Sequence, residues 1–310
     1  MRDVLTTKQK KQGHMRRNRI IANVFVYAIL VILSIIWLYP ILWIILSAFR
    51  EEFNESGGYI GTVVSHYWPK GFGIEAMKRL WVGTYDAQGN FTKSMFPRQM
   101  LNTLIVAVCS CILSTLLTLS TAYVMSKIKF KMRKPFLNLA MVLGLFPGFM
   151  SMVAIYYILK ALGLTQSLFA LILCYSATAG MGFYVAKGFF DTVPNALVES
   201  AKLDGATQSQ IFVKIVLPLS KPIIIYTALL AFTGPWMDFI FARVILGEQN
   251  THLHTVAVGL YQMMYGAKAS GDVFTTFAAG CVCIAIPIVT LFLCMQKYYI
   301  EGATAGAVKG

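Results

Sequence analysis

Residues 188–220 read GFFDTVPNALVESAKLDGATQSQIFVKIVLPLS and separate two long apolar runs, 167–187 and 221–242. Apolar runs of about 20 residues match the ~30 Å hydrocarbon thickness of a bilayer, so a polar stretch between two of them decides the architecture. Asp191 or Thr192 is suited to cap a helix whose first turn holds Pro194, and that helix runs through NALVESAKL. Gly205 breaks it, being the residue type that tolerates a sharp change in φ. Thr207 and Gln210 have the spacing of a capping box for a second short helix, which presents Ile211, Phe212 and Ile215 on one side. Pro218 and Pro222 stop that helix and start the next apolar run. The expected element is a helix–turn–helix elbow anchored at both ends by spans, stiff enough to dock into a partner's groove. The competing reading is an ordinary amphipathic loop lying at the headgroups.

Outward from the elbow, apolar runs recur at 21–48, 102–126, 136–158, 167–187, 221–242 and 274–296. In lipid every backbone polar group must be satisfied internally, so these six runs should be helices and the fold all-α and polytopic. A transmembrane barrel would need alternating strands of roughly ten residues, which is a different pattern. The composition agrees: 57% of residues are hydrophobic and 13% charged. A soluble domain carries roughly 25% charged residues, and a water-soluble chain of 310 residues could not hide this much apolar surface. An ordinary soluble enzyme and a disordered chain are both excluded.

Charge then gives orientation. The net charge is +14, from 27 Lys and Arg against 13 Asp and Glu. Residues 2–19 carry Arg2, Lys8, Lys10, Lys11, Arg16, Arg17 and Arg19, and the loop KIKFKMRKP carries Lys127, Lys129, Lys131, Arg133 and Lys134. The positive-inside rule places both segments in the cytoplasm, and six spans return the C-terminus to the same side. On that topology the cytoplasmic segments hold 18 Lys and Arg and the external ones nine, so nucleic acid is not needed to explain the basic excess. The expected organisation is a basic tail at 1–20, a first transmembrane helix at 21–49, an external loop at 50–99, a five-helix core at 97–296 and a tail at 297–310. The first apolar run is too long for a cleaved signal and lacks a small-residue cleavage site, so it reads as an uncleaved span.

Catalytic and cofactor chemistry is not indicated. There is no G-x-x-x-x-G-K-[ST], H-E-x-x-H or G-x-S-x-G, so no cofactor is expected. All six cysteines fall in apolar runs with no His or carboxylate nearby, and His252-x-His254 reads as solvated loop, so no metal is expected. Asp238 is the one charge placed well inside a span, facing either a polar pathway or the headgroup region. An ion-coupled transporter would show more such groups or broken helices near the midplane, so energy is expected from elsewhere. A secondary transporter or channel that works without an ATPase is the competing class.

Glu199-Ser-Ala-Lys-Leu-Asp-Gly205, followed by Ile215-Val-Leu-Pro218, resembles the EAA loop of permease subunits of bacterial ATP-binding-cassette importers. Glu199, Ala201, Gly205, Ile215, Leu217 and Pro218 fit the family's register, Asp204 and Ala206 match its common D-G-A form, and Ser200 stands where Ala is usual. Residues 152–173, MVAIYYILKALGLTQSLFALIL, are similar to the third and fourth helices of sugar-type permeases. PWMDF at 235–239 resembles their W-N-x-F segment, with Met237 in place of Asn. The ending EGATAGAVKG looks like the tail of the shorter membrane subunit of maltose transporters.

The resemblance implies the type I importer transmembrane fold in a bacterial cytoplasmic membrane, with no enzymatic activity in this chain. It implies a second, homologous permease subunit, two ATPase subunits and an extracytoplasmic sugar-binding protein as partners, and maltose or malto-oligosaccharide as cargo. The loop 191–220 would be the coupling loop, with Glu199 making polar contacts to an ATPase and Gly205 forming the bend. Thr304, Gly306 and Lys309 would reach between the ATPase subunits. Gln249, Asn250 and His252, in the 243–273 loop, would meet the binding protein.

Overall fold

The computed structural model describes residues 2–55, 57–64, 66–85, 89–178, 182–266 and 272–305, with side chains from 19 to 297. A 47-residue helix α1 (Arg2–Ala48) opens the chain and takes in both the basic tail and the first apolar run. Its apolar surface from Ile20 to Leu42 is exposed along nearly its whole length, as suits a helix in lipid.

Segment 50–73 then straps the end of α1 to the start of α14 (Phe274–Ala305). Buried Arg50 donates to Glu52 Oε1 and to the carbonyls of His66 and Tyr67, each at 3.0 Å. Glu52 also accepts from Lys70 N at 2.8 Å and His66 Nε2 at 3.0 Å. Tyr59 and Thr275 join hydroxyls at 3.0 Å, which reaches α14. Burial alone would raise the Glu52 carboxyl, but the N–H of Lys70, His66 and Arg50 together hold it below its ordinary value. Helix α2 (Glu75–Trp81) buries Ala76 and Leu80, and an antiparallel hairpin of β1 (Gly83–Tyr85) and β2 (Phe91–Lys93) follows. This hairpin and two isolated antiparallel bridges, Arg50 with Phe72 and Phe53 with Tyr59, are the departures from an all-α fold among the described residues.

Three of the six apolar runs form unbroken helices: α1, α3 (Phe96–Lys127) and α14. The other three are interrupted, so the expected scarcity of broken helices, one ground against ion coupling, does not hold. Run 136–158 is split into α4 (Arg133–Gly144) and α5 (Gly148–Ala161), which meet at 101°. Gly144, Pro147 and Gly148 supply the break, since Pro147 cannot donate to a helix and starts α5 as its N-cap. Run 167–187 is divided between α6 (Leu168–Thr178) and α7 (Phe183–Asp191). Run 221–242 is divided at Asp238 between α11 (Lys221–Met237) and α12 (Ile240–Leu246). By length and composition three helices can cross a membrane, or five if each strongly bent pair counts as one span.

Helix α3 is the axis of the bundle, contributing to all three apolar cores. Leu119, Ala122, Tyr123 and Met125 pack at one end with α7 and the elbow. Val106, next to Ala107 in the chain but on another side of α3, packs with α5, α6 and α12. Phe96 and Ala107 pack at the other end with α2, α14 and α13 (Val256–Tyr265).

Candidate functional site

The elbow predicted from 188–220 is present, with its turns placed differently from expectation. Helix α8 (Asn195–Leu203) starts after Pro194, and neither Asp191 nor Thr192 caps it. Asp191 instead accepts from Ser126 Oγ and Lys187 Nζ, each at 2.6 Å, while Thr192 Oγ1 donates back to Phe189 O at 2.7 Å. Burial would raise the Asp191 carboxyl, but Lys187 and Ser126 hold it below its ordinary value.

The C-terminus of α8 is a Schellman turn. Ala206 N donates to Ala201 O at 2.9 Å and Gly205 N to Lys202 O at 3.1 Å, with Gly205 at φ +80°. Ala201 and Ala206 both contact the apolar core beneath, which adds the hydrophobic contact such turns carry. The capping box is confirmed: Gln210 N donates to Thr207 Oγ1 and Thr207 N to Gln210 Oε1, opening α9 (Gln208–Ile211). Pro218 does not stop the second arm. The chain continues through a π-turn at Phe212–Val216 into α10 (Leu217–Leu219), and the break comes at Ser220, where α11 leaves at 88°. The first turn of a freshly started helix needs no backbone donor, which is why Pro222 is tolerated at the start of α11.

The site residues named from sequence divide by exposure. Glu199, Ser200, Asp204, Gly205 and Pro218 are exposed. Ala201 is buried, and Ala206, Ile215 and Leu217 are half-buried in the core that joins the elbow to α3. Leu203, which the sequence reading passed over, is 90% exposed beside the bend, with Leu197 exposed one and a half turns earlier. The signal was available: Val198 and Ala201 mark the buried face of α8, and Leu203 falls off that face.

Three ties fix the elbow to α3. Lys127 Nζ donates to Val193 O at 2.6 Å and Asn195 Oδ1 at 3.1 Å, at the entry to α8. Ser126 holds Asp191, and Tyr123 donates to Gln208 Oε1 at 2.9 Å while its ring lies 4.8 Å from that of Phe212. Both arms are therefore bolted to one long helix.

The remaining named residues lie elsewhere. Asp238 ends α11 and receives Phe241 N at 3.0 Å in the first turn of α12, while its other oxygen accepts from Tyr175 of α6 at 2.9 Å. Its geometry is that of a helix-break cap bridged to a neighbouring helix. Much of 243–273 is not a free loop, because α13 buries Val256, Val258 and Leu260, and Gly259 admits Gln99 where a Cβ would clash. Gln249, Asn250 and His252 sit on the turn before α13, and His254, expected in solvated loop, is instead fully buried with its Nε2 2.8 Å from Gly247 O. Arg98 Nε and Asn102 Nδ2 hold the carbonyl of His252, and Asn250 Nδ2 donates to Gln166 Oε1 at 2.8 Å. Thr304 falls in the last turn of α14, where side chains are not described, and Gly306 and Lys309 lie outside the described residues.

Residues 114–302 match the family model described as binding-protein-dependent transport system inner membrane component. The chain is 34% identical over 297 residues to the galactooligosaccharides transport system permease protein GanQ of Bacillus subtilis, covering 96% of this chain and 99% of that protein. It is 33% identical over 285 residues to the maltodextrin transport system permease protein MalD of Streptococcus pneumoniae, covering 92% and 94%. Among solved structures it resembles a chain of a bacterial ABC transporter involved in the import of the acidic polysaccharide alginate, with a TM-score of 0.75 at 20% identity over 90% of this chain and 96% of that one. That likeness extends the shared fold well beyond the family-matched segment. The chain belongs to the family of inner-membrane components of binding-protein-dependent transport systems.

Proposed function

We propose that this chain is one of two membrane subunits of an ATP-driven oligosaccharide importer, and that its elbow docks into an ATPase subunit on the cytoplasmic side. The observation that carries the reading is the elbow itself. A Schellman turn at Gly205 and three ties to α3 hold α8 rigidly, with Glu199, Ser200, Leu203 and Asp204 exposed on it. Closure of an ATPase dimer would push on that exposed face, and the ties would carry the displacement into α3 and α11. No ATP is bound or cleaved by this chain on this reading.

The full assembly comprises a second permease subunit, two ATPases and a soluble binding protein. The elbow, the basic loop 127–134 and both termini face the cytoplasm, with the 167–187 run completing six spans. Thr304, Gly306 and Lys309 contact the ATPases, and Gln249, Asn250 and His252 face the binding protein. Malto-oligosaccharide is the proposed cargo, supported by maltodextrin permeases among the relatives and by the C-terminal EGATAGAVKG. Galacto-oligosaccharide is the second reading, favoured by the 34% identity to a galactooligosaccharide permease.

The test is uptake of labelled maltotriose and galactotriose into proteoliposomes holding the assembled complex and its binding protein. ATP-dependent import of maltotriose is expected, and import of galactotriose alone would select the second reading. Transport by this chain without an ATPase, or ATP hydrolysis by this chain alone, would defeat the assignment.

A further inference from the structure

A cavity of ≈ 260 Å³ opens between α3, α6, α7 and α11. Ser114 lies 13 residues before the end of α3 at Lys127, so the cavity sits about 20 Å along the helix from the elbow ties, at membrane depth. Its walls carry more polar capacity than packing needs. Ser114 is 1% exposed, and among the described residues its Oγ has no hydrogen-bond partner, although it lines the cavity. Unsatisfied buried hydroxyls are uncommon and point to a missing partner. Pro235 has no N–H to give the carbonyl of Ala231 four residues earlier, and both residues line the cavity. Tyr175, also on the wall, directs its hydroxyl hydrogen to Asp238, so its oxygen retains acceptor capacity. Tyr226 adds an aromatic ring.

No charged side chain lines the cavity among the described residues, which argues against an ion or a zwitterion as its ligand. Hydroxyl, carbonyl and aromatic groups without charge suit an uncharged polyol. The volume is just below the roughly 300 Å³ at which small-molecule pockets begin, so it suits a single ring rather than a chain.

We infer that this cavity is a sugar subsite: Ser114, Tyr175 and the carbonyl of Ala231 hold one ring of the oligosaccharide as it crosses. The inference rests on the proposed import function and adds a contact within this subunit. It also links cargo to drive, because α3 carries the cavity wall and the elbow ties on one unbroken helix.

The test uses the assembled transporter in proteoliposomes at saturating binding protein, with maltotriose and galactotriose as probes. Ser114→Ala and Tyr175→Phe are each expected to lower sugar imported per ATP hydrolysed by three- to tenfold, and to change the preference between the two sugars, while binding-protein-stimulated ATP hydrolysis persists. A purely packing role would instead lower hydrolysis and uptake together for both sugars, and that result overturns the subsite. Unchanged import ratios in both variants overturn it as well, with the importer reading intact because the wild type still transports. Failure of the wild-type complex to import either sugar overturns the importer reading and the subsite with it.

Discussion

Lys127 is 9% exposed and gives its ammonium group to a backbone carbonyl and an amide oxygen at the mouth of α8. Losing those donors leaves the buried Val193 carbonyl unmatched, worth about 1–3 kcal/mol if water does not enter, whereas the exposed Asn195 amide can turn to solvent. Lys127→Met keeps the stem and removes the donors. The expected result is a complex that assembles and hydrolyses ATP but imports sugar at least tenfold more slowly, with Lys127→Arg recovering part of the loss. Equal uptake by Lys127→Met and wild type would show that the tie transmits nothing. Glu52 has a different exposure to conditions. Its folded-state pKa lies below its ordinary value near 4.5, so its contribution is complete above that value and is lost as pH falls through the folded pKa. Hydrogen-exchange protection of the 50–73 amides, corrected for intrinsic exchange, should therefore fall as pH drops below the ordinary carboxylate range, while Glu52→Gln should lack that pH dependence.

The elbow's two short helices depend on local chemistry that was legible in the sequence. Gly205 at φ +80° and the Thr207–Gln210 box are each specified within four residues. Their failure is expected to be graded. Thr207→Ala should destabilise the elbow by about 1 kcal/mol. Gly205→Leu meets no atom within 4 Å of its new Cβ, but forces a side chain into left-handed backbone at roughly 1–2 kcal/mol. The Gly205→Leu protein should reach the membrane and lose import, measured as membrane-fraction abundance against labelled-sugar uptake. What the sequence hid is non-local. Lys127 counted as one more positive charge marking a membrane face, and nothing within its own loop points to Val193 or Asn195. Tyr123 and Ser126 were ordinary residues of an apolar run until packing set Gln208 and Asp191 opposite them. The helix breaks at 145–147 and 238–239 were missed for another reason: hydropathy averaged over a span conceals Gly144, Pro147 and Pro235, although these residues mark where the ladder fails.

At the scale of the molecule, the six apolar runs correctly identified a membrane protein, while the expectation of one helix per run holds for only three of them. The proposed orientation rests on the distribution of charge and can be checked directly. In a background lacking the six native cysteines, which are all free, Met132→Cys and Val63→Cys are both at exposed positions. An impermeant thiol reagent added outside intact cells should label position 63 and spare position 132 until the membrane is opened. The reverse pattern would invert the whole topology. The purified chain without its partners is expected to show no ATP hydrolysis, measured by phosphate release.

The elbow's exposed face also has a bearing on interchangeability. The groups that build the elbow are Ala201, Ala206, Ile211, Thr207, Gln210 and the ties to α3, whereas Leu197, Glu199, Leu203 and Asp204 face outward. Address and scaffold are therefore written in different residues. On the proposed reading, re-lettering the outward set would redirect the subunit to a foreign motor without refolding it. A single motor able to read one such set could equally serve several membrane subunits that differ in cargo.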